Sequence, residues 1–247
     1  KKPSFQIYPK TNTFCCFSSN CSAETGDQIQ FIQLKEKCTK HEAILKAKEL
    51  LGVATPKTEN LNEVFTKLKQ NVNKSPRAKA YLKERHLTIE KSEVGFNAAA
   101  YKDLKNCIIF PLRNKGNEIV SLYGRSITKG HYYTANRKGL YPKYPSAETK
   151  KLILTESIID AATLLQELVI SSQYSVLALY GTNGLTAEHL GSIKELKELK
   201  EIVLWFDGDE AGEKAAKKYA EQFKVENEEL KISIVQTPKD EDINSLL

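Results

Sequence analysis

EIVLWFDGDEAG, residues 201–212, is the stretch on which the reading of this chain turns. Ile202, Val203, Leu204, Trp205 and Phe206 make an apolar, β-branched and aromatic run too short for a helix, which fits a strand buried on both faces. The run stops at Asp207-Gly208-Asp209, and from Glu210 to Phe223 apolar residues recur at helical spacing. Carboxylates at the carboxyl end of a buried strand lie in the crevice where open α/β sheets place their ligands, and such hard oxygen donors suit a cation like Mg²⁺. The same residues also make an ordinary solvated turn, because Asp is a common helix cap and Gly a common turn residue.

Two other stretches end in the same way. KLILT (151–155) delivers Glu156 at its end, ahead of a helical pattern from Ile158 to Leu168. Leu230 to Val235 alternates as a strand and runs into PKDEDIN, with Asp240, Glu241, Asp242 and Asn244. Between them lie a strand from Tyr174 to Tyr180, a glycine-bearing turn (Gly181 to Gly184) and a helix from Thr186 to Leu199. Strands alternating with helices of this length predict an α/β unit with a parallel sheet and helices on its faces. The three acidic strand ends meet only where those strands are neighbours in that sheet.

Charge is divided along the 247 residues. Residues 1–150 carry 27 Lys and Arg against 13 Asp and Glu, a net of +14, while residues 151–247 carry 10 against 18, a net of −8. A basic half joined to an acidic half fits a polyanion held by one and metal ions by the other, where a single charged run would fit a face that keeps the protein in solution. Composition is 40% hydrophobic, enough for a core, and no apolar run approaches the roughly 18 residues of a membrane span. Five cysteines, an odd number, without a signal-peptide pattern predict a reducing, cytoplasmic setting. No Met is present, so the sequence is expected to be a piece of a longer chain.

Toward the N-terminus, Phe5 to Tyr8 and Thr13 to Phe17 form a predicted hairpin carrying Cys15 and Cys16, followed by Cys21. Cys16 and Cys21 enclose four residues, a spacing allowed for half of a four-ligand zinc site, and also ordinary for buried or free thiols. Cys15, Cys38 and His41 are candidate partners by residue type alone, with His41 at the start of a helical pattern reaching Leu51. Residues 53–75 read as a linker with a helix inside it, from Leu61 to Asn71. Ser75-Pro76 opens an amphipathic helix to His86. CIIFPLRN (107–114) and EIVSLYGRS (118–126) are predicted strands joined by a Lys115-Gly116-Asn117 turn. From Arg113 to Tyr144, seven basic side chains face one acid, Glu118, with Tyr123, Tyr132, Tyr133, Tyr141 and Tyr144 interleaved. Positive charge for phosphates and aromatic faces for bases fit a single-strand or nucleotide groove, or a solvated basic face with structural tyrosines.

TES (155–157), GTNGLT (181–186), FDGDEAG (206–212) and PKDEDIN (238–244) resemble, in this order, the Toprim domain of bacterial primases, topoisomerases and some nucleases. KKPSFQIYPKTNTFCCF, IIFPLRN, GNEIVSLYGR and DGDEAGEKAAKKYAEQF narrow the resemblance to bacterial DnaG-type primases, over nearly the whole chain. It implies a partial zinc-ribbon domain (1–55), a linker (56–75), a mixed α+β basic subdomain of an RNA-polymerase core (76–148) and a Rossmann-like Toprim domain (149–247). The implied activity is template-directed synthesis of short RNA primers from ribonucleoside triphosphates on single-stranded DNA. Asp207, Asp209 and Asp242 would hold two Mg²⁺ or Mn²⁺ ions, and Glu156 would ligate a metal or move a proton. Arg113, Arg125, Lys138 and Lys143 would grip template or triphosphate. Cys16 and Cys21 would be half of a Zn²⁺ site, and a replicative helicase would dock through a region beyond Leu247. Three departures stand out: the first two zinc ligands would lie upstream of Lys1, four residues rather than two separate the cysteine pair, and Asn244 stands where the family has a second Asp. A DNA-cleaving Toprim nuclease or topoisomerase, and a non-catalytic single-strand-binding accessory, are the alternatives.

Overall fold

Three phenylalanines gather the first of two units into which the chain divides, residues 1–59 and 60–247. The computed structural model describes residues 4–18, 21, 23–52, 60–134, 137–167 and 173–246. In the first unit β1 (Phe5–Tyr8), β2 (Thr13–Cys16) and β3 (Thr25–Asp27) pair antiparallel in that order. Helices α1 (Gln28–Glu36) and α2 (Lys40–Leu50) follow. Asp27 caps α1 through the Gln30 amide, and Thr39 with Glu42 forms a capping box on α2. Phe5, Phe14 and Phe31 lie 5.4–5.7 Å apart, ring centre to ring centre. Among the described residues only Phe14 and Ala43 of this unit are buried apolar side chains, so its core is thin.

The second unit opens with α3 (Leu61–Lys74) and α4 (Pro76–Glu84). Ser75 accepts from the Ala78 amide and Pro76 takes the first helical turn, where its missing N–H costs nothing. Helix α3 buries Phe65, Leu68 and Val72 and packs so closely on β4 (Gly95–Asn97) that a Cβ on Gly95 would meet Leu68 Cβ at 2.8 Å. The linker expected at 56–75 therefore yields its helix to the second unit, and residues 53–59 lie outside the described ones. A 3-10 turn (Lys102–Leu104) leads to β5 (Cys107–Arg113), β6 (Ile119–Ser126) and β7 (His131–Tyr133), and these pair antiparallel in the order β4-β5-β6-β7.

The rest alternates as its apolar runs predict: β8 (Lys151–Thr155), α5 (Ile158–Glu167), β9 (Tyr174–Ala178), α6 (Ala187–Lys194), β10 (Glu201–Trp205), α7 (Glu210–Glu226) and β11 (Lys231–Ile234). Helix α6 ends earlier than the spacing to Leu199 predicts, and the predicted helix end at Leu168 lies outside the described residues. The four strands are parallel, in the order β11-β10-β8-β9. Leu152, Leu154, Leu177, Ile202 and Leu204 fill one face of this sheet with Tyr219 and Phe223 of α7. On the other face Ile153, Ile158 and Val176 share one cluster with Phe110 and Tyr123 of the antiparallel sheet and Leu82 of α4. Each such side chain contributes about 1.5–3 kcal/mol by leaving water. No described helix is long and apolar enough to cross a membrane.

Candidate acidic centre and basic face

The strand order reverses at β8: the chain leaves it for β9 on one side, while β10 flanks it on the other. A crevice opens above the carboxyl ends of two strands that part in this way. Thr155 and Trp205 are paired across β8 and β10, so Glu156 and, one residue further along, Asp207 emerge from neighbouring strands at that crevice. The Asp207 backbone N–H points at the Glu156 carboxyl.

Asp209 has two environments at once. One oxygen caps α7, accepting from the Gly212 amide at 2.7 Å, as the turn reading predicts, and the charge of Asp209 also reaches Glu156. Gly208 fastens this loop to the one after β11, donating to the Glu241 carbonyl at 2.8 Å and accepting from the Asp240 amide at 2.9 Å. A Cβ on Gly208 would fall 1.9 Å from the Pro238 carbonyl oxygen, so only glycine allows the approach. Asp242 accepts from the Ser245 amide at 2.7 Å, which fixes its carboxylate at the turn.

A fifth carboxylate belongs to the group. Asp160, in the first turn of α5, is 2% exposed and accepts from the Ser157 hydroxyl at 2.6 Å. Sequence reasoning passed over it as a polar residue in an apolar helix, although an Asp inside IIDAATLL, four residues after Glu156, was the available signal.

Burial and mutual repulsion govern the electrostatics. Asp207 is pushed up to about 8 by burial, then by the charges of Asp160, Glu156, Asp242 and Asp209. Glu156 rises to about 7 through burial and the nearby Asp209 and Asp160, eased by the Asp207 backbone N–H. Burial lifts Asp160 to about 6, opposed by its bond from Ser157. Glu156 Oε2, Asp160 Oδ1 and Asp207 Oδ1 are buried without a hydrogen-bond partner. Orphaned buried oxygens of this kind are costly unless a cation or donor meets them, so the donor set suits a hard divalent ion. Among the described residues no three His, Cys, Asp or Glu side chains are already closed into a metal-binding set. These carboxylates are neighbours in charge, not a ready-made cage.

The cysteines are less assembled still. Cys16 and Cys21 are near enough to influence each other, and Cys21 is held below the ordinary thiol value by the Ala23 backbone and then by Cys16. Cys38 faces the Ile32 carbonyl, and Cys15, Cys38 and His41 are not brought into a ligand set with the pair.

On the antiparallel sheet the basic residues divide by occupation. Arg113 is engaged, with Nη2 2.7 Å from Glu93 and Nη1 donating to the Asn117 carbonyl at 2.8 Å. Arg125 is half-buried, with Tyr81 and Tyr123 close enough to influence its charge. Arg137 lies over the Tyr133 ring at 4.9 Å, and Tyr133 in turn neighbours Tyr123 and Tyr180. Lys138 and Lys143 are exposed. Of the five tyrosines between Arg113 and Tyr144, Tyr123 and Tyr141 are core residues and Tyr132 is 47% exposed.

Residues 153–247 match the model of a Toprim-like family. A DNA primase of Haemophilus influenzae is 25% identical over 87% of this chain and 46% of its own length. One from Campylobacter jejuni is 26% identical over 97% and 48%. The chain thus spans about half the length of the curated relatives it matches. Among solved structures, the zinc-binding and RNA-polymerase domains of the Aquifex aeolicus primase align with a TM-score of 0.59 at 20% identity, covering 99% of this chain and 72% of that one. A DnaG primase catalytic domain bound to single-stranded DNA gives 0.59 at 19% identity, covering 76% and 75%. The chain is thus similar in sequence to bacterial DNA primases over most of its length and similar in fold to primase domains over nearly all of it, and its residues 153–247 match a Toprim-like family.

Proposed function

We propose that this chain carries the nucleotidyl-transfer centre of a DNA primase, which joins ribonucleotides into a short RNA on a single-stranded DNA template. The observation that carries the reading is the acidic centre itself: five carboxylates around the β8/β10 crevice, three with a buried oxygen lacking any partner. Asp207, Asp209 and Asp242 would hold divalent ions there, Mg²⁺ or Mn²⁺, with Asp160 beside them. When bound, such ions neutralise the triphosphate and acidify the attacking 3′-hydroxyl.

The chain's own residues supply position and proton traffic. Glu156, at the carboxyl end of β8 beside these groups, accepts the hydroxyl proton as the hydroxyl attacks the α-phosphate and pyrophosphate leaves. Asp209 stays in place because α7 is built on it, and Gly208 keeps the two acidic loops in contact. Exposed Lys138 and Lys143, with Arg125 and Arg137, offer charge to template phosphates, and the exposed ring of Tyr132 offers a face to a base. Arg113 supports that surface from within. Cys16 and Cys21 would supply two thiol ligands to a Zn²⁺ ion. A replicative helicase is the expected partner of the longer protein.

The test is one reaction with single-stranded template, labelled ribonucleotides and Mg²⁺ or Mn²⁺. RNA products that disappear in Asp207→Asn and Asp209→Asn support the proposal. Nicked DNA would favour a cleaving Toprim enzyme, and binding without products an accessory.

A further inference from the structure

Asn244 stands two residues beyond Asp242 yet turns away from the crevice. It is 3% exposed. Its Nδ2 donates to the Arg85 backbone carbonyl at 2.6 Å and to Thr163 Oγ1 at 2.9 Å, and its Oδ1 accepts a longer bond from Arg85 Nη1 at 3.4 Å. Its backbone N–H lies near enough to the Asp160 carboxylate to favour the charged form. One residue thus joins the end of α4, the middle of α5 and the acidic loop.

The helix it grips is shared by the whole seam. Asp160, Thr163 and Gln166 follow one another at three-residue intervals on α5. Gln166 donates to the His86 carbonyl at 2.7 Å and accepts from the Thr88 amide at 2.7 Å, so the segment after α4 is fastened to the same helix.

Only an amide satisfies this position. The Arg85 carbonyl needs a donor, and a carboxylate has none: an Asp here would set an anionic oxygen about where Nδ2 now sits, 2.6 Å from that carbonyl oxygen. Nδ2 is committed to two acceptors and Oδ1 sits beside the Arg85 guanidinium, a cation that disfavours a second cation at the same oxygen.

We infer that Asn244 is a positioning residue rather than a metal ligand. It sets Asp160 and the Asp242 loop relative to each other by tying both to α4 and α5, and the ion-binding groups of this chain are the five carboxylates without it. The inference rests on the proposed divalent-ion centre and names how that centre is held.

Mn²⁺ titration of the metal-free chain by calorimetry, well below the melting temperature of every variant, tests it. Asn244→Ala and Thr163→Val are expected to weaken Mn²⁺ binding about tenfold at unchanged stoichiometry, in line with the cost of losing a group that orients metal ligands. Thr163→Ser keeps the hydroxyl acceptor and is expected to keep the affinity. Asn244→Asp is expected to bind more weakly and to gain no additional Mn²⁺. Tighter or extra Mn²⁺ in Asn244→Asp overturns the inference by placing residue 244 at the ion, and unchanged affinity in Asn244→Ala overturns it by removing the positioning role. A wild-type chain that binds no Mn²⁺ overturns the ion-centre reading as well, which separates the two failures.

Discussion

Gly208 and Glu241 are joined by a backbone hydrogen bond of 2.8 Å, and through it the loop after β10 and the loop after β11 become one acidic surface. Gly208→Ala drives a Cβ into the Pro238 carbonyl oxygen. The variant is expected to lose more than about 2 kcal/mol of stability, because rigid backbone must move. Its Mn²⁺ affinity should fall as well. A variant with parental melting temperature would show that the two loops part freely.

Asp207 makes the metal-free protein pH-sensitive in a definite direction. Unfolded, it ionises in the ordinary carboxylate range, and folded only near pH 8, so between those values the folded state holds the extra proton. Stability therefore falls as pH rises from about 4 to about 8. Asp207→Asn should raise the melting temperature in chelator, by about 1–3 kcal/mol equivalent at pH 8 and by little near pH 4. An equal gain at both values would contradict the burial and repulsion assigned to this carboxyl.

Glu201, at the opposite end of β10, behaves with the reverse sign. A bond from Ser233, then Lys231 and Lys151 on the flanking strands, holds it down at about 2. Its contribution is present above the unfolded value near 4.5 and disappears as pH falls toward 2. Glu201→Gln should cost about 1 kcal/mol at pH 7, since Lys231 is largely and Lys151 partly exposed, and nothing near pH 2. Melts across that range decide it.

Engaged and free cations should separate in DNA binding. Lys138→Ala and Lys143→Ala are each expected to reduce the slope of log affinity against log salt by about 0.7 on single strands. Arg113→Ala should instead lower stability by about 1–2 kcal/mol, because Glu93 and the Asn117 carbonyl lose their donor. The opposite pattern would return Arg113 to the phosphate surface.

The C-terminal sheet was legible because its strands are unbroken apolar runs that stop at acids, a pattern that fixes both burial and strand end. KLILT, EIVLW and the Ser75-Pro76 helix start could each be read locally. Strands β4 and β7, of three residues each, carry too little periodicity, and α1 buries none of its side chains. Asp160 was missed because burial of a carboxylate depends on what surrounds it. The bond between Asn244 and Arg85 spans 159 positions and leaves no local trace. For Arg113, residue type announced a phosphate ligand, while the fold supplied Glu93 first.

One apolar cluster runs from Leu82 and Phe110 through Tyr123 to Ile153, Ile158 and Val176, crossing from the antiparallel sheet to the parallel one. Neither sheet has a private core on that side. The basic surface and the acidic crevice thus ride on a common foundation, and heat should dismantle residues 60–247 in a single melting step, with slow amide exchange lost from β5 and β8 together.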